Sequence, residues 1–145
     1  MSRILVIDDE PEVLELIAKV LVRAGHEVDL APDGEQGLER LGPFNPDVLI
    51  VDKMLPQMHG GEVIARARRH RPDLAVIMIT AFPEPFALGP ERLDAYLPKP
   101  FKTLGAITDA VKTALESAEQ ARKRTDLKER LSQVMAELAP IRKKS

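Results

Sequence analysis

A chain of 145 residues in which strand-like and helix-like segments alternate five times predicts an α/β fold, a five-stranded parallel sheet with helices on both faces. Short runs of Val, Ile and Leu are separated by stretches whose apolar residues recur at helical spacing. One run, Val48-Leu49-Ile50-Val51, has no polar interruption, which suits a strand buried on both faces. The runs also end in polar residues, and in open α/β sheets the carboxyl ends of the strands are where ligands bind.

Arg3 to Ile7 reads as the first strand and stops at Asp8-Asp9-Glu10. A helix begins at Pro11, because proline is favoured in a first helical position and the preceding acids suit the positive end of the helix dipole. Its apolar positions are Val13, Leu14, Ile17, Val20 and Leu21, and Gly25 serves as the C-terminal cap. His26 to Ala31 is the second strand. Pro32-Asp33-Gly34 turns the chain into a short helix, Glu35 to Leu41, stopped by Gly42-Pro43. The third strand ends at Asp52, and Pro56 and Gly60-Gly61 punctuate the loop after it. Gly61 to His70 is a helix with Val63, Ile64 and Ala67 inward. Leu74 to Ile79 is the fourth strand, ending in Thr80-Ala81, and Ala95 to Leu97 is a short fifth running into Pro98-Lys99-Pro100. Phe101 opens a long helical stretch.

Composition narrows the function classes. Aromatics are only 3%, so Ile, Leu and Val must fill the core of one domain. The absence of cysteine excludes disulfides, thiol catalysis and cysteine metal sites. No apolar run has the length of a secretion signal or a membrane span, so the expected setting is the cytoplasm, with no membrane partner. Neither a glycine-rich phosphate loop nor a dinucleotide fingerprint is present, which leaves nucleotide binding without support. Residues 1–116 carry a net charge of −6 and residues 117–145 one of +4. The basic tail reads as a solvated helix face, and nucleic acid is not an expected partner. Arg66, Arg68, Arg69 and Arg71 read as complements to the negative end of their helix, and His59 as a loop residue.

Every strand except the second delivers polar groups to the same edge: Asp8 and Asp9, Asp52, Thr80, and Lys99. Taken singly, each has an ordinary structural reading as a helix cap, a strand-end hydroxyl or a solvated charge. Taken together they make a site. Carboxylates about 4 Å apart repel by roughly 4 kcal/mol per pair at an effective dielectric near 20, so the cluster needs a cation. Oxygen ligands without histidine or thiol select a hard ion, and Mg²⁺ is the usual choice beside phosphate. Lys99 and Thr80 then suit an incoming anion. A hydrolase using Asp52 as nucleophile is the competing reading, but it needs a second acid-base group. A constitutive interaction module with a vestigial site is another.

Asp8-Asp9 after the first strand, Asp52-x-x-x-Pro56-x-Met58-x-Gly60, Thr80-Ala81 and Tyr96-Leu97-Pro98-Lys99-Pro100-Phe101 closely resemble the receiver domain of bacterial two-component response regulators. The resemblance covers residues 3 to about 118. It implies a doubly wound, flavodoxin- or CheY-like sheet of order 2-1-3-4-5, with residues 1–118 as receiver and 119–145 as a basic helical extension without a separate output domain. It further implies that Asp52 accepts a phosphoryl group from a histidine kinase or phosphotransfer protein. Asp8, Asp9, Asp52 and the carbonyl of Met54 would hold Mg²⁺, while Thr80, Lys99 and the backbone of Ala81 grip the phosphoryl oxygens. Thr80 and Tyr96 would form the switch, and the Lys99-Pro100 bond would be cis. Such a stand-alone receiver is not an enzyme toward other substrates. It catalyses its own phosphorylation and dephosphorylation, and signals to a downstream protein through phosphorylation-dependent contacts.

Two departures from the family pattern stand out. Pro83, Pro85, Gly89 and Pro90 forbid the long fourth helix expected between Thr80 and Asp94, since each interior proline costs about 3 kcal/mol. In the tail, Leu127, Leu131, Val134, Leu138 and Ile141 are out of phase with the preceding apolar set Leu104, Ile107, Val111, Ala114, Ala118 and Ala121. Asp126 and Glu129 suggest a capping box that starts a separate helix. The tail's stripe needs a partner surface, either its own receiver or a second chain, and a homodimer is the favoured expectation.

Overall fold

The computed structural model describes residues 1–81 and 92–143, with side chains as far as residue 139. The proline-rich segment expected to lack a long fourth helix lies outside the described residues. Five strands, β1 (Arg3–Ile7), β2 (Glu27–Ala31), β3 (Val48–Asp52), β4 (Ala75–Thr80) and β5 (Ala95–Pro98), form one parallel sheet of order β2-β1-β3-β4-β5. The helices are α1 (Pro11–Arg23), α2 (Gly34–Phe44), α3 (Gly60–His70) and α4 (Gly105–Lys143).

Strand side chains alternate between two apolar layers. Ile4 and Val6, Val48 and Ile50, and Ala75, Ile77 and Ile79 meet Leu14 and Ile17 of α1 and Ile107, Val111 and Ala114 of α4. Leu5 and Ile7, Leu49 and Val51, and Val76 and Met78 face the other way, toward Leu41 of α2 and Val63, Ile64 and Ala67 of α3. Because both faces are covered, the central strands carry polar residues only at their ends. The helix ends follow local chemistry. Pro11 opens α1, and Gly25 at φ 94° closes it with the His26 N–H donating to the Leu21 carbonyl and the Gly25 N–H to that of Val22, both at 3.0 Å.

Three local expectations need correction. Helix α2 does not stop at Gly42-Pro43 but includes Pro43 and ends at Phe44. Proline in a last turn removes one N–H without blocking the turn, and Asn45, left-handed at φ 51°, closes the helix by donating to the Leu41 carbonyl. The capping box at Asp126 and Glu129 does not start a new helix, because α4 is continuous. From Ala106 to Leu138 it contains neither Gly nor Pro, and Thr125 bonds back to the Ala121 carbonyl at 3.1 Å instead of capping. Arg68 is not merely a complement to the negative end of α3. Its guanidinium is almost fully buried and donates to the Leu74 and Arg92 carbonyls and to Asp94.

Asp94 is the centre of that buried network. Its carboxylate takes the Val76 N–H at 2.8 Å, the Ser117 hydroxyl at 2.7 Å and Arg68 at 3.0 Å, tying the start of β5 to β4, α3 and α4. Removing one member of a buried ion pair leaves the other charge uncompensated. Asp94→Ala is therefore expected to lose about 3 kcal/mol in urea unfolding. A midpoint and slope equal to those of the wild type would show that the network carries no stability.

Candidate functional site

Successive strand ends deliver the site residues. The Asp8 N–H donates to the Ala31 carbonyl at 3.2 Å, the Lys53 N–H to that of Ile79 at 2.9 Å, and the Lys99 N–H to that of Thr80 at 2.9 Å. Each bond extends a parallel ladder by one rung, so the residues just past β1, β3 and β5 reach one edge of the sheet. The loop after β3 then folds back on itself. The Gly60 N–H donates to the Lys53 carbonyl at 2.9 Å, and a Cβ on Gly60 would lie 2.5 Å from the Asp52 carbonyl oxygen. Only glycine permits that approach.

The resulting cleft holds about 470 Å³. Asp9, Asp52, Met54, Thr80, Ala81 and Lys99 line it, with Asp8 fully buried beside them. Glu10 and Lys53 line it too, and the sequence reading did not single them out. A signal for Glu10 existed, since it is the third consecutive acid after β1. Tyr96 is not among the lining residues; it sits at the surface, 36% exposed. His59 is exposed just before α3 and is not among the residues that line the cleft. The Lys99-Pro100 peptide is cis.

Lys99 sits among the carboxylates. Its Nζ lies 3.1 Å from Asp8 Oδ2, 3.2 Å from Glu10 Oε2 and 3.3 Å from Asp52 Oδ2. Burial alone would lower its pKa, but the carboxylates of Asp8, Asp52 and Glu10 outweigh that and hold it above its ordinary value. Asp8 is displaced upward, chiefly by burial and further by the charge of Asp52, against the opposing pull of the Glu10 N–H and Lys99. Its Oδ1 accepts the Glu10 N–H at 2.8 Å. Its Oδ2 is within ion-pair reach of Lys99 yet receives no directed hydrogen bond. Asp52 Oδ1 accepts the Met54 N–H at 3.1 Å, leaving Oδ2 toward Lys99.

One oxygen from each of Asp8, Asp9 and Asp52 lies within 4.8 Å of the others. The donor set is all oxygen, and Asp8 Oδ2 is a buried acceptor short of a partner. Both features fit a hard divalent cation.

Residues 4–112 match the response regulator receiver domain. The chain belongs to that family. Over 130 residues, covering 88% of this chain and 54% of the relative, the receiver is 35% identical to the alkaline phosphatase synthesis transcriptional regulatory protein PhoP of Bacillus subtilis. Over 102 residues, covering 68% of this chain and 44% of the relative, it is 39% identical to the response regulator MprA of Mycobacterium ulcerans. It thus spans about half the length of the curated relatives it matches. Among solved structures, the chemotaxis response regulator CheY4 of Vibrio cholerae superposes with a TM-score of 0.71 at 26% identity, covering 79% of this chain and 99% of that one. NtrX from Brucella abortus reaches 0.78 at 26% identity, covering 89% of this chain and 30% of that one. The receiver therefore has its place in two-component signalling.

The upward displacement of Asp8 has a stability consequence. A carboxyl whose folded pKa is raised favours folding when protonated, and that contribution is complete below 3.8 and lost as the pH rises through the folded value. In cation-free buffer at pH 7, Asp8→Asn should raise the melting temperature, by roughly 3–4 °C for each kcal/mol of relieved burial cost and repulsion. The gain should fade as the pH drops toward 3.8. A variant no more stable than the wild type at pH 7 would remove this account of the cluster.

Proposed function

We propose that Asp52 of this receiver accepts a phosphoryl group from the phosphohistidine of a histidine kinase or phosphotransfer protein. The observation that supports it best is the meeting of Asp8, Asp9, Asp52 and Lys99 in one cleft, with Lys99 Nζ 3.3 Å from Asp52 Oδ2. In the transfer, an Asp52 oxygen forms a P–O bond as the P–N bond to the donor imidazole breaks, and the electron pair of that bond returns to the imidazole. Little other covalent work is needed, so the protein's part is to position the oxygen and balance charge. Asp8, Asp9, Asp52 and the Met54 carbonyl would hold Mg²⁺, which when bound neutralises charge on the phosphoryl oxygens. Lys99, the Thr80 hydroxyl and the Ala81 N–H take those oxygens from the other side. Withdrawal of Thr80 toward them makes room for Tyr96 to turn inward, and this change is what a downstream protein reads. The chain acts on its own aspartate and is not an enzyme toward other substrates. The proposed setting is the cytoplasm; among the described residues no helix is long and apolar enough to cross a membrane.

Intact-mass measurement after incubation with a small acyl phosphate and Mg²⁺ tests the assignment. The wild type should gain one phosphoryl mass, and chelation of the metal or Asp52→Asn should abolish the gain. An Asp52→Asn variant that still gains the mass sinks the assignment.

The far half of α4 is proposed to pair with a second copy of the chain. Leu127, Leu131, Val134 and Leu138 are 41–57% exposed and follow the alternating 4-3-4 spacing of a coiled-coil seam, which Ile141 continues in sequence. Leu127 follows the buried Ala118 by nine residues, which at about 100° each turns it roughly half-way round the helix. The stripe thus faces away from the receiver's own core. Light scattering across a concentration series should find a dimer for the full chain and a monomer after truncation behind Asp126, which keeps Arg122 against Asp73. Equal masses for the two would leave the extension without this role.

A further inference from the structure

We propose that Glu10 is an internal competitor for Lys99, drawing on the ammonium that a phosphoryl oxygen on Asp52 would engage. The proposal rests on the assignment of Asp52 as phosphoryl acceptor. A lysine ammonium has three N–H donors, and Lys99 meets three carboxylate oxygens at 3.1, 3.2 and 3.3 Å. The contacts to Glu10 and Asp52 are hydrogen bonds and that to Asp8 is an ion pair without one, so a new anion in the cleft competes with carboxylates that already draw on the ammonium.

The three partners differ in how they are held. Asp8 is fully buried and fixed through its other oxygen by the Glu10 N–H. Asp52 is the acceptor itself, held by the Met54 N–H. Glu10 alone has a side chain that is 55% exposed, at the mouth of the cleft, and its bond to Lys99 is solvent-exposed. Exposed ion pairs are weak, so it is the partner that gives way. The Glu10 carboxylate therefore stands in for a phosphoryl oxygen while Asp52 is unmodified. It keeps the ammonium oriented over the cleft, and it sets a threshold that a phosphoryl group must exceed. The role requires reach as well as charge: aspartate, one methylene shorter, keeps the charge near the helix terminus but falls short of Lys99. Glu10 makes no side-chain cap to α1, so replacing it does not remove one.

The test is calorimetric titration of the full chain with beryllofluoride, a phosphoryl mimic, at saturating Mg²⁺. Glu10→Gln and Glu10→Asp should both bind about two- to fivefold tighter than the wild type at low ionic strength, with the differences narrowing in high salt. If Glu10→Gln binds no tighter, Glu10 does not compete. If Glu10→Gln binds tighter but Glu10→Asp matches the wild type, charge alone is responsible and the proposal fails. Differences that persist in high salt overturn it as well. Asp52→Asn separates this from the acceptor assignment: loss of binding in that variant upholds the assignment, whichever way the Glu10 variants fall. Equal binding by Asp52→Asn and the wild type overturns both.

Discussion

The Lys99 ammonium holds together a cleft in which acids outnumber bases. Asp8, Glu10 and Asp52 converge on Lys99 from β1, the start of α1 and the end of β3. Two strands, β3 and β4, separate β1 from β5 in the sheet, so the lysine reaches back across the carboxyl edge to meet them. The arrangement is strained toward ligands in an electrostatic sense. Negative charge exceeds positive inside the cleft, one buried oxygen lacks a directed donor, and the Lys99 ammonium is shared among three carboxylates. A divalent cation relieves the first two conditions.

The sheet carries a second polar cluster at its opposite end. Arg68, Asp94 and Ser117 form a closed set in which donors and acceptors are matched, with Arg92 at the margin. The contrast is instructive. A buried network whose members satisfy one another fixes α3, β5 and α4 in register, whereas the network at the carboxyl end leaves acceptors over. Rigidity at one end and unmet valence at the other are what a site needs from its scaffold. Helix α4 links these regions, since it starts beyond the Lys99 turn, packs Ile107, Val111 and Ala114 into the core, and passes Asp94 at Ser117. It then continues outward with an exposed apolar stripe. A stiff element thus leads from β5 to the surface.

The sequence alone determined the strand and helix order, the layering around a parallel sheet, and the carboxyl edge as the location of Asp8, Asp9, Asp52, Thr80 and Lys99. Those features depend on short-range periodicity and on strand ends, both of which are written locally. Tertiary structure decided the rest. Arg68 looked like one of several helix-end arginines because nothing nearby in the chain says that Asp94, 26 residues on, will be buried against it. Glu10 was overlooked because its partner Lys99 is 89 residues away, and an acid after two acids resembles a helix-dipole complement. The capping-box motif at Asp126 was present but unused, since a helix already growing through good helix formers gains more from continuing than from restarting. Local chemistry sets which residues stand at an edge; the fold alone sets which of them must share a proton donor.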